Sequence, residues 1–572
     1  MWSKIPKFLL IVIILSLVAR LFLLNIVPNG VSNDELDYIL NAKALFLTGS
    51  DISGTWNPFT LTTPSSSFPQ AEIAPLLTSW LIGILPLSLM TSKLIYAFFG
   101  VATVAVIYFI TKRLIGAREA FIVGLVASIN PWLLFFSRTA YDTPLSVLGF
   151  LLALYTLLVC KSWKILIAFP FLFIAFYSYI GSKLLYIPFV LITVGYSWLI
   201  VNKRKYLKQY FVLLFLCLLP LIYYGFILLH SSGLRVNELA GPNMSSIVAA
   251  TNRERKLSVE NPLLPVFSNK YVVFAKYAIG KYAGAFSPDF LYIHGDSKSL
   301  FTVWEHGVFY YLDAIFLILG ACIVFVRKKK EWTLIMGLIA IAPIPSIVSN
   351  VGTSYAIRSM LMAPFLILFI GVGIYYFLSL FGKRYKTIAV IFILLLYMIQ
   401  LLNFANIYLL RNTIYNSESF NFSTRVLSKY LTLYHGREIF VINGDPKSPL
   451  KSYLFYGNFY NDNSALFVSN MYKTKKYAIN NIHFSNCEDV PDFSQNSPIV
   501  YESGSKCSKI PQNLPSDSIT YLSDGGSIYT ILNDTVCSKY KLSRYPYGIR
   551  ISDFDVENLS DKLFCEKFII NF

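Results

Sequence analysis

Asp34 and Glu35 are adjacent carboxylates directly behind the first long apolar run, 8–27, whose one charged residue is Arg20. A carboxylate at such a boundary can take a proton from a hydroxyl. On a helix the two would point about 100° apart, so one can act as base while the other orients a loop or binds substrate. Asp142 holds an equivalent place beside another apolar run, and Glu72 lies between them in sequence. Arg138, Lys183 and Arg358 each sit within a few residues of the end of an apolar run, and Lys43 lies in the first loop. Lone cations at membrane depth suit a phosphate, because charge-assisted bonds strengthen away from water. The alternatives are snorkelling to the interface or pairing with a nearby acid. His294, Asp296, Glu305 and His306 could gather around a metal, but hydrogen-bonding or gating roles in that loop are favoured.

The elements that must position these groups are mostly membrane helices. The 572 residues are 55% hydrophobic and 16% aromatic, with a mean hydropathy of +0.56. Repeated apolar stretches of about 20 residues read as spans. About eleven are expected, near 8–27, 92–111, 119–136, 143–160, 164–179, 184–201, 210–230, 307–326, 333–349, 359–380 and 387–409. The stretch 73–90 reads as interfacial, because a span there would break the charge register of the loops.

A net charge of +18 raises the question of nucleic acid, and its distribution argues against it. Residues 411–572 hold 17 basic against 16 acidic residues, and residues 1–410 hold 32 against 15. The excess clusters in alternate short connections, such as Lys203/Arg204/Lys205 and Arg327-Lys328-Lys329-Lys330. That is the positive-inside pattern of a multi-pass protein with a cytoplasmic N-terminus. Loops 28–91 and 231–306 then face outward, as does everything after about 411. The first run is expected to stay as an anchor, since it is long for a signal peptide and no Ala-x-Ala site follows.

The expected fold is therefore mostly α, a polytopic transmembrane bundle over 1–410 with a small extracytoplasmic α/β or α+β domain over 411–572. In the latter, Glu438–Ile442, Pro498–Tyr501 and Ser527–Leu532 read as strands and Arg425–Tyr434 as a helix. Cys487, Cys507, Cys537 and Cys565 all fall there and could form two disulfides, with sequential pairing preferred among three options. None has the CxxC spacing of a zinc site, and no phosphate loop, dinucleotide fingerprint or HExxH occurs.

Four short stretches, in order, resemble membrane glycosyltransferases of the GT-C class, in particular the protein O-mannosyltransferase and aminoarabinose-transferase group. Asn33-Asp34-Glu35 resembles the Asp-Glu motif after that family's first span. Glu72-Ile-Ala-Pro-Leu76 is similar to its Glu-Lys-Pro-Pro-Leu motif, with Ile73 in place of the lysine. Arg138-Thr-Ala-Tyr-Asp142-Thr-Pro-Leu resembles, one residue shorter, its Arg-x-x-x-x-Asp-x-Pro-Leu segment, and Phe286–Asp296 resembles its Phe-Ser-Pro-x-Phe-Leu-Phe-x-x-Gly-Asp stretch.

The resemblance implies a polyprenyl-phosphate-linked sugar as donor and a protein, lipid or glycan acceptor at the outer face of a prokaryotic plasma membrane. Asp34 would serve as base, with Glu35 and Asp142 beside it, and transfer would invert the anomeric carbon. Arg358, Lys183 and Arg138 would take the donor phosphate, and Glu72, His294 and Asp296 would line the substrate or acceptor side. No cofactor is implied, and a divalent metal is not favoured. The principal competing class is a transporter or lipid flippase, and a third is a non-catalytic surface protein. Carriers place ionisable groups and broken helices near mid-membrane, whereas the acids here concentrate at span ends.

Overall fold

The computed structural model describes residues 7–55, 73–230, 241, 243–296, 299–349, 352–436, 438–490, 498–504, 507–510, 516–543 and 548–571. The chain opens with α1 (Lys7–Leu21), α2 (Asn33–Thr48), α3 (Ala74–Ile84), α4 (Leu89–Leu114), α5 (Ala117–Ile129) and α6 (Pro131–Phe136). It continues with α7 (Thr143–Val159), α8 (Ala168–Ser178), α9 (Ser182–Tyr196) and α10 (Leu207–His230). A peripheral group follows, α11 (Met244–Lys256), α12 (Leu264–Phe267) and α13 (Lys270–Gly284). Next come α14 (Asp313–Arg327), α15 (Lys329–Ile341), α16 (Ile344–Val348), α17 (Tyr355–Arg358), α18 (Ala363–Ser379) and α19 (Lys383–Asn406).

Six described helical stretches are long and apolar enough to cross a membrane: Leu89–Leu114, Ser182–Val201, Leu207–Leu229, Lys329–Val348, Met360–Ser379 and Arg384–Tyr415. Thr143–Val159, Ser162–Ser178 and Ala74–Ile84 are shorter apolar helices. This is a polytopic integral membrane protein, and the expected eleven spans are not all continuous helices of spanning length. The run 119–136 is split, because Asn130 caps the Leu133 amide at 3.1 Å while Pro131 opens α6. Proline suits a first helical position but cannot donate back to the helix before it. At 11 residues, α3 reaches only about 16 Å, short of a membrane crossing.

Burial separates centre from rim. The α18 stretch is 83% buried, whereas that of α19 is 17% buried and presents Ile388, Ile391, Leu395 and Leu402 outward. Gly320 on α14 and Gly373 on α18 let those helices close up, since a Cβ at either would strike the other helix's backbone. Small residues at crossings are how helices approach closely in lipid.

The C-terminal region begins with α20 (Asn412–Tyr415) and α21 (Phe422–Leu433) and is built on a seven-stranded sheet. Its strands are β1 (Ile439–Ile442), β2 (Tyr477–Ile479), β3 (Ile482–Ser485), β4 (Ile499–Glu502), β5 (Ser516–Thr520), β6 (Ser527–Leu532) and β7 (Ile570–Asn571). They lie in the order β2-β3-β1-β4-β6-β5-β7, parallel only at β3-β1-β4. Helices α22 (Lys447–Tyr456) and α23 (Ala465–Thr474) form the crossover after β1, and α24 (Asp561–Phe568) precedes β7. Strands expected at 438–442, 498–501 and 527–532 correspond to β1, β4 and β6. Disulfides join Cys487 to Cys507 and Cys537 to Cys565, with Cα separations of 5.5 and 5.4 Å.

Candidate active site

Ser32 caps α2: its hydroxyl accepts the Glu35 amide at 3.4 Å, and the Glu35 carboxylate accepts the Ser32 amide at 2.9 Å. This reciprocal capping box ends the preceding loop and starts the helix. It puts Asn33, Asp34 and Glu35 in the first turn, where the helix dipole favours acids. Asp34 is half-buried and Glu35 is fully buried. The second Glu35 oxygen accepts the Ala140 amide at 2.7 Å, tying α2 to the Arg138–Asp142 loop. Glu35, expected in the catalytic set, thus spends both oxygens on backbone, and Asp34 is the acid of the pair with a solvent-facing side.

Asp142 lies at the start of α7, buried, and its Oδ2 accepts the Tyr38 hydroxyl at 2.8 Å from the second turn of α2. Asp34, Tyr38 and Asp142 therefore belong to one constellation. Tyr141 bridges it, with its hydroxyl 3.0 Å from Ser32 Oγ and its ring 5.6 Å from that of Phe301. Burial, then the charges of Glu35 and Asp34 among its neighbours, pushes the Tyr141 phenol well above its ordinary range. It stays protonated at neutral pH and available as a donor.

Arg138, expected to meet a phosphate, is buried and committed elsewhere. Its Nη1 donates to the carbonyls of Ala19, Arg20 and Phe22 at 3.2, 2.9 and 2.8 Å, its Nη2 to Val27 at 2.8 Å, and its Nε to Tyr408 Oη at 3.1 Å. It closes the C-terminal end of α1, where unpaired carbonyls need donors. An apolar groove of about 270 Å³ between α1 and α19 is lined by Leu15, Val18, Phe22, Leu401 and Phe404, with Arg138 also in its wall. Lys43 has a similar duty, donating to Gly83 and Leu85 carbonyls at 2.6 and 2.9 Å at the end of α3.

Two other cations sit on segments tied to α7. Lys183 opens α9, half-buried, with its Nζ 4.9 Å from the Tyr224 ring centre and 5.6 Å from that of Phe176. Ser182, beside it, is 2.5 Å from Ser146 Oγ, one turn along α7 from Asp142. Arg358 ends α17, which three contacts fix. The Trp132 indole donates to the Ala356 carbonyl at 2.8 Å, and the Ala356 amide donates to Asp296 Oδ2 at 3.0 Å. Ser359 Oγ is 2.9 Å from Ser346 Oγ of α16, whose Pro345 neighbours Gly181. The starts of α7 and α9, near Asp142 and Lys183, are thus joined by a serine pair, the Arg358 turn is tied to α16, which packs beside Gly181, and Asp296 Oδ2 holds the Ala356 amide of that turn.

His294 does not join them: it is exposed and paired with Asp289 at 2.6 Å. His306 is buried, its Nδ1 2.6 Å from the Gly307 carbonyl, and burial lowers its pKa. Among the described residues no group of three or more His, Cys, Asp or Glu side chains is placed to hold a metal ion. Glu72 lies outside the described residues; Ile73, next to it, donates its amide to the Tyr177 carbonyl at 3.2 Å.

Lys93, Tyr38, Tyr141 and Trp132 belong to the site region and were not singled out by sequence. Lys93 is fully buried at the start of α4, donating to the Gly30 carbonyl at 2.7 Å and the Pro28 carbonyl at 3.4 Å. Its signal was available: it is another lysine at the end of an apolar run away from the basic clusters.

No protein-family model and no curated protein sequence matches this chain. Among solved structures it is similar to ArnT from Cupriavidus metallidurans bound to undecaprenyl phosphate, at 11% identity and a TM-score of 0.48, over 92% of this chain and 98% of that one. It is also similar to the oligosaccharyltransferase AglB from Archaeoglobus fulgidus in complex with an inhibitory peptide and a dolichol-phosphate. There the identity is 13% and the TM-score 0.42, over 87% of this chain and 69% of that one. Both are likenesses in the course of the chain.

Proposed function

We propose that this protein is a membrane glycosyltransferase of the GT-C type, moving a hexosyl or pentosyl group from a polyprenyl-phosphate donor to an acceptor hydroxyl at the outer membrane face. One observation carries the reading. A half-buried Asp34 on a capped helix start shares its constellation with a buried, oriented Asp142, while α9, which opens at Lys183, is bonded to α7 and the Arg358 turn is bonded to α16, which packs beside Gly181 at the start of α9. The ordered motif resemblance around Asp34, Asp142 and Asp296 points to the same chemistry.

In this mechanism Asp34 accepts the proton of the acceptor hydroxyl as its oxygen bonds to the anomeric carbon. The bond from that carbon to the phosphate oxygen breaks, and its electron pair leaves with the lipid phosphate. A single displacement inverts the centre. Arg358 and Lys183 stabilise the charge that grows on the departing phosphate. Asp142, held by Tyr38, accepts hydrogen bonds from sugar or acceptor hydroxyls, and Arg138 and Glu35 hold the backbone that positions both acids. The acceptor is a protein, lipid or glycan hydroxyl, the N-terminus is cytoplasmic, and the C-terminal region is extracytoplasmic.

Two readouts test this. Proton NMR of the product from an anomerically pure donor should show the opposite configuration; retention would exclude a single displacement. Arg358→Ala should raise the KM for donor about tenfold or more, the scale of one charge-assisted bond, and an unchanged KM would remove Arg358 from the phosphate site.

A further inference from the structure

The loop from Val27 to Ser32, which delivers Asp34, is buried throughout. Buried backbone groups must find partners, and here they come from both the helical bundle and the C-terminal region. The Val27 carbonyl is met by Arg138, and those of Pro28 and Gly30 by Lys93, both from the helical bundle. Others are met from the C-terminal region. Arg425 Nη1 donates to the Asn29 carbonyl at 2.6 Å, and Asn421 Nδ2 donates to the Val31 carbonyl and to Asn33 Oδ1, both at 3.0 Å. The Val31 amide donates to Tyr456 Oη at 3.1 Å, and the Asn29 side chain donates to the Thr413 carbonyl at 2.8 Å. Lys451 pairs with Asp37 at 2.5 Å, one turn along α2 from Asp34. Gly30 passes so close to the Phe420 carbonyl that a Cβ there would collide with it.

We infer that the C-terminal region is a structural part of the catalytic centre, with Arg425 as a positioning residue that holds the Asp34 loop through Asn29. Arg425 is fully buried and is itself fixed by Glu557, to which its Nε donates at 2.8 Å and its Nη2 donates as well. One guanidinium therefore joins the far end of the chain, the start of α21 and the loop before α2. A planar fork with fixed donors suits that task, and a lysine cannot reproduce it. The inference rests on the transferase reading of Asp34, but the ordering of the loop can be read without turnover.

The test uses the full-length protein in lipid, with Arg425→Lys, Glu557→Gln, Tyr456→Phe and Asn421→Ala. Hydrogen exchange of the 27–36 peptide should speed up in each. With a working donor and acceptor, kcat should fall about 10- to 100-fold in Arg425→Lys, the scale of a misplacement near 1 Å, while donor KM changes less than twofold. Tyr456→Phe and Asn421→Ala bury no stray charge, so they report on the loop even where Arg425→Lys fails to fold. Wild-type exchange over 27–36 in the folded variants would overturn the inference. Faster exchange in the variants of a wild type without turnover would uphold the clamp and discard the transferase reading.

Discussion

Replacing Glu35 by alanine should unfold more than it inactivates, and replacing Asp34 should do the opposite. Glu35 is fully buried, and its two oxygens accept the Ser32 and Ala140 amides at 2.9 and 2.7 Å. Alanine leaves both donors buried without an acceptor, and each such group costs about 1–3 kcal/mol. The expected loss is therefore about 2–6 kcal/mol, large against the net stability of an ordinary domain. Glutamine keeps one acceptor oxygen, so Glu35→Gln should lose about half as much. Asp34 is half-buried, and Asp34→Asn should change stability by less than about 1 kcal/mol, as surface substitutions do. Denaturant titration in mixed micelles, followed by tryptophan fluorescence, measures all three. A Glu35→Ala protein as stable as wild type would refute the division of labour between the two acids.

Three other outcomes follow from particular contacts. Tyr38→Phe removes the 2.8 Å bond to Asp142 Oδ2 and should lower stability by about 0.5–1.5 kcal/mol, with a measurable fall in kcat that wild-type rates would contradict. Reducing Cys487–Cys507 and Cys537–Cys565, which close separations of 20 and 28 residues, should cost the C-terminal region about 3 kcal/mol per bridge, seen as earlier proteolysis after reductant. Burial, and then the neighbouring Asp534, pushes Asp517 up to about 6. The folded state therefore holds this proton more tightly than the unfolded chain. The contribution is complete below the ordinary carboxylate range and lost as pH rises through about 6. Asp517→Asn should flatten the pH dependence of unfolding between about pH 4 and 6, and an unchanged profile would exclude Asp517 as its source.

Much of the architecture was legible because apolar length and alternating loop charge are local properties. The break at Asn130 was also there to read, since Asn-Pro combines a cap with a residue that cannot continue the previous helix. The candidate site was legible only as residue types at run ends, Asp34, Asp142, Lys183 and Arg358 among them. It was not legible as roles. Arg138 and Arg358 look alike in sequence, and only the course of α1 gives Arg138 carbonyls to close. Glu35 differs from Asp34 because the Ala140 amide, 105 residues away, faces it. The Arg425–Asn29 bond spans 396 positions, beyond any periodicity or spacing argument. Strands β2, β3, β5 and β7 carry a weak sequence signal, because they are short and include polar positions such as Ser516-Asp517-Ser518 of β5 and Asn571 of β7.

The central claim is that Asp34 is the base of a lipid-linked sugar transfer. Purified protein in lipid, given a panel of polyprenyl-phosphate sugars and candidate acceptors, should release polyprenyl phosphate with a matching donor. Asp34→Asn of unchanged stability should lose that release by about 100-fold or more, the scale of general base catalysis. Undiminished release from Asp34→Asn would contradict the account.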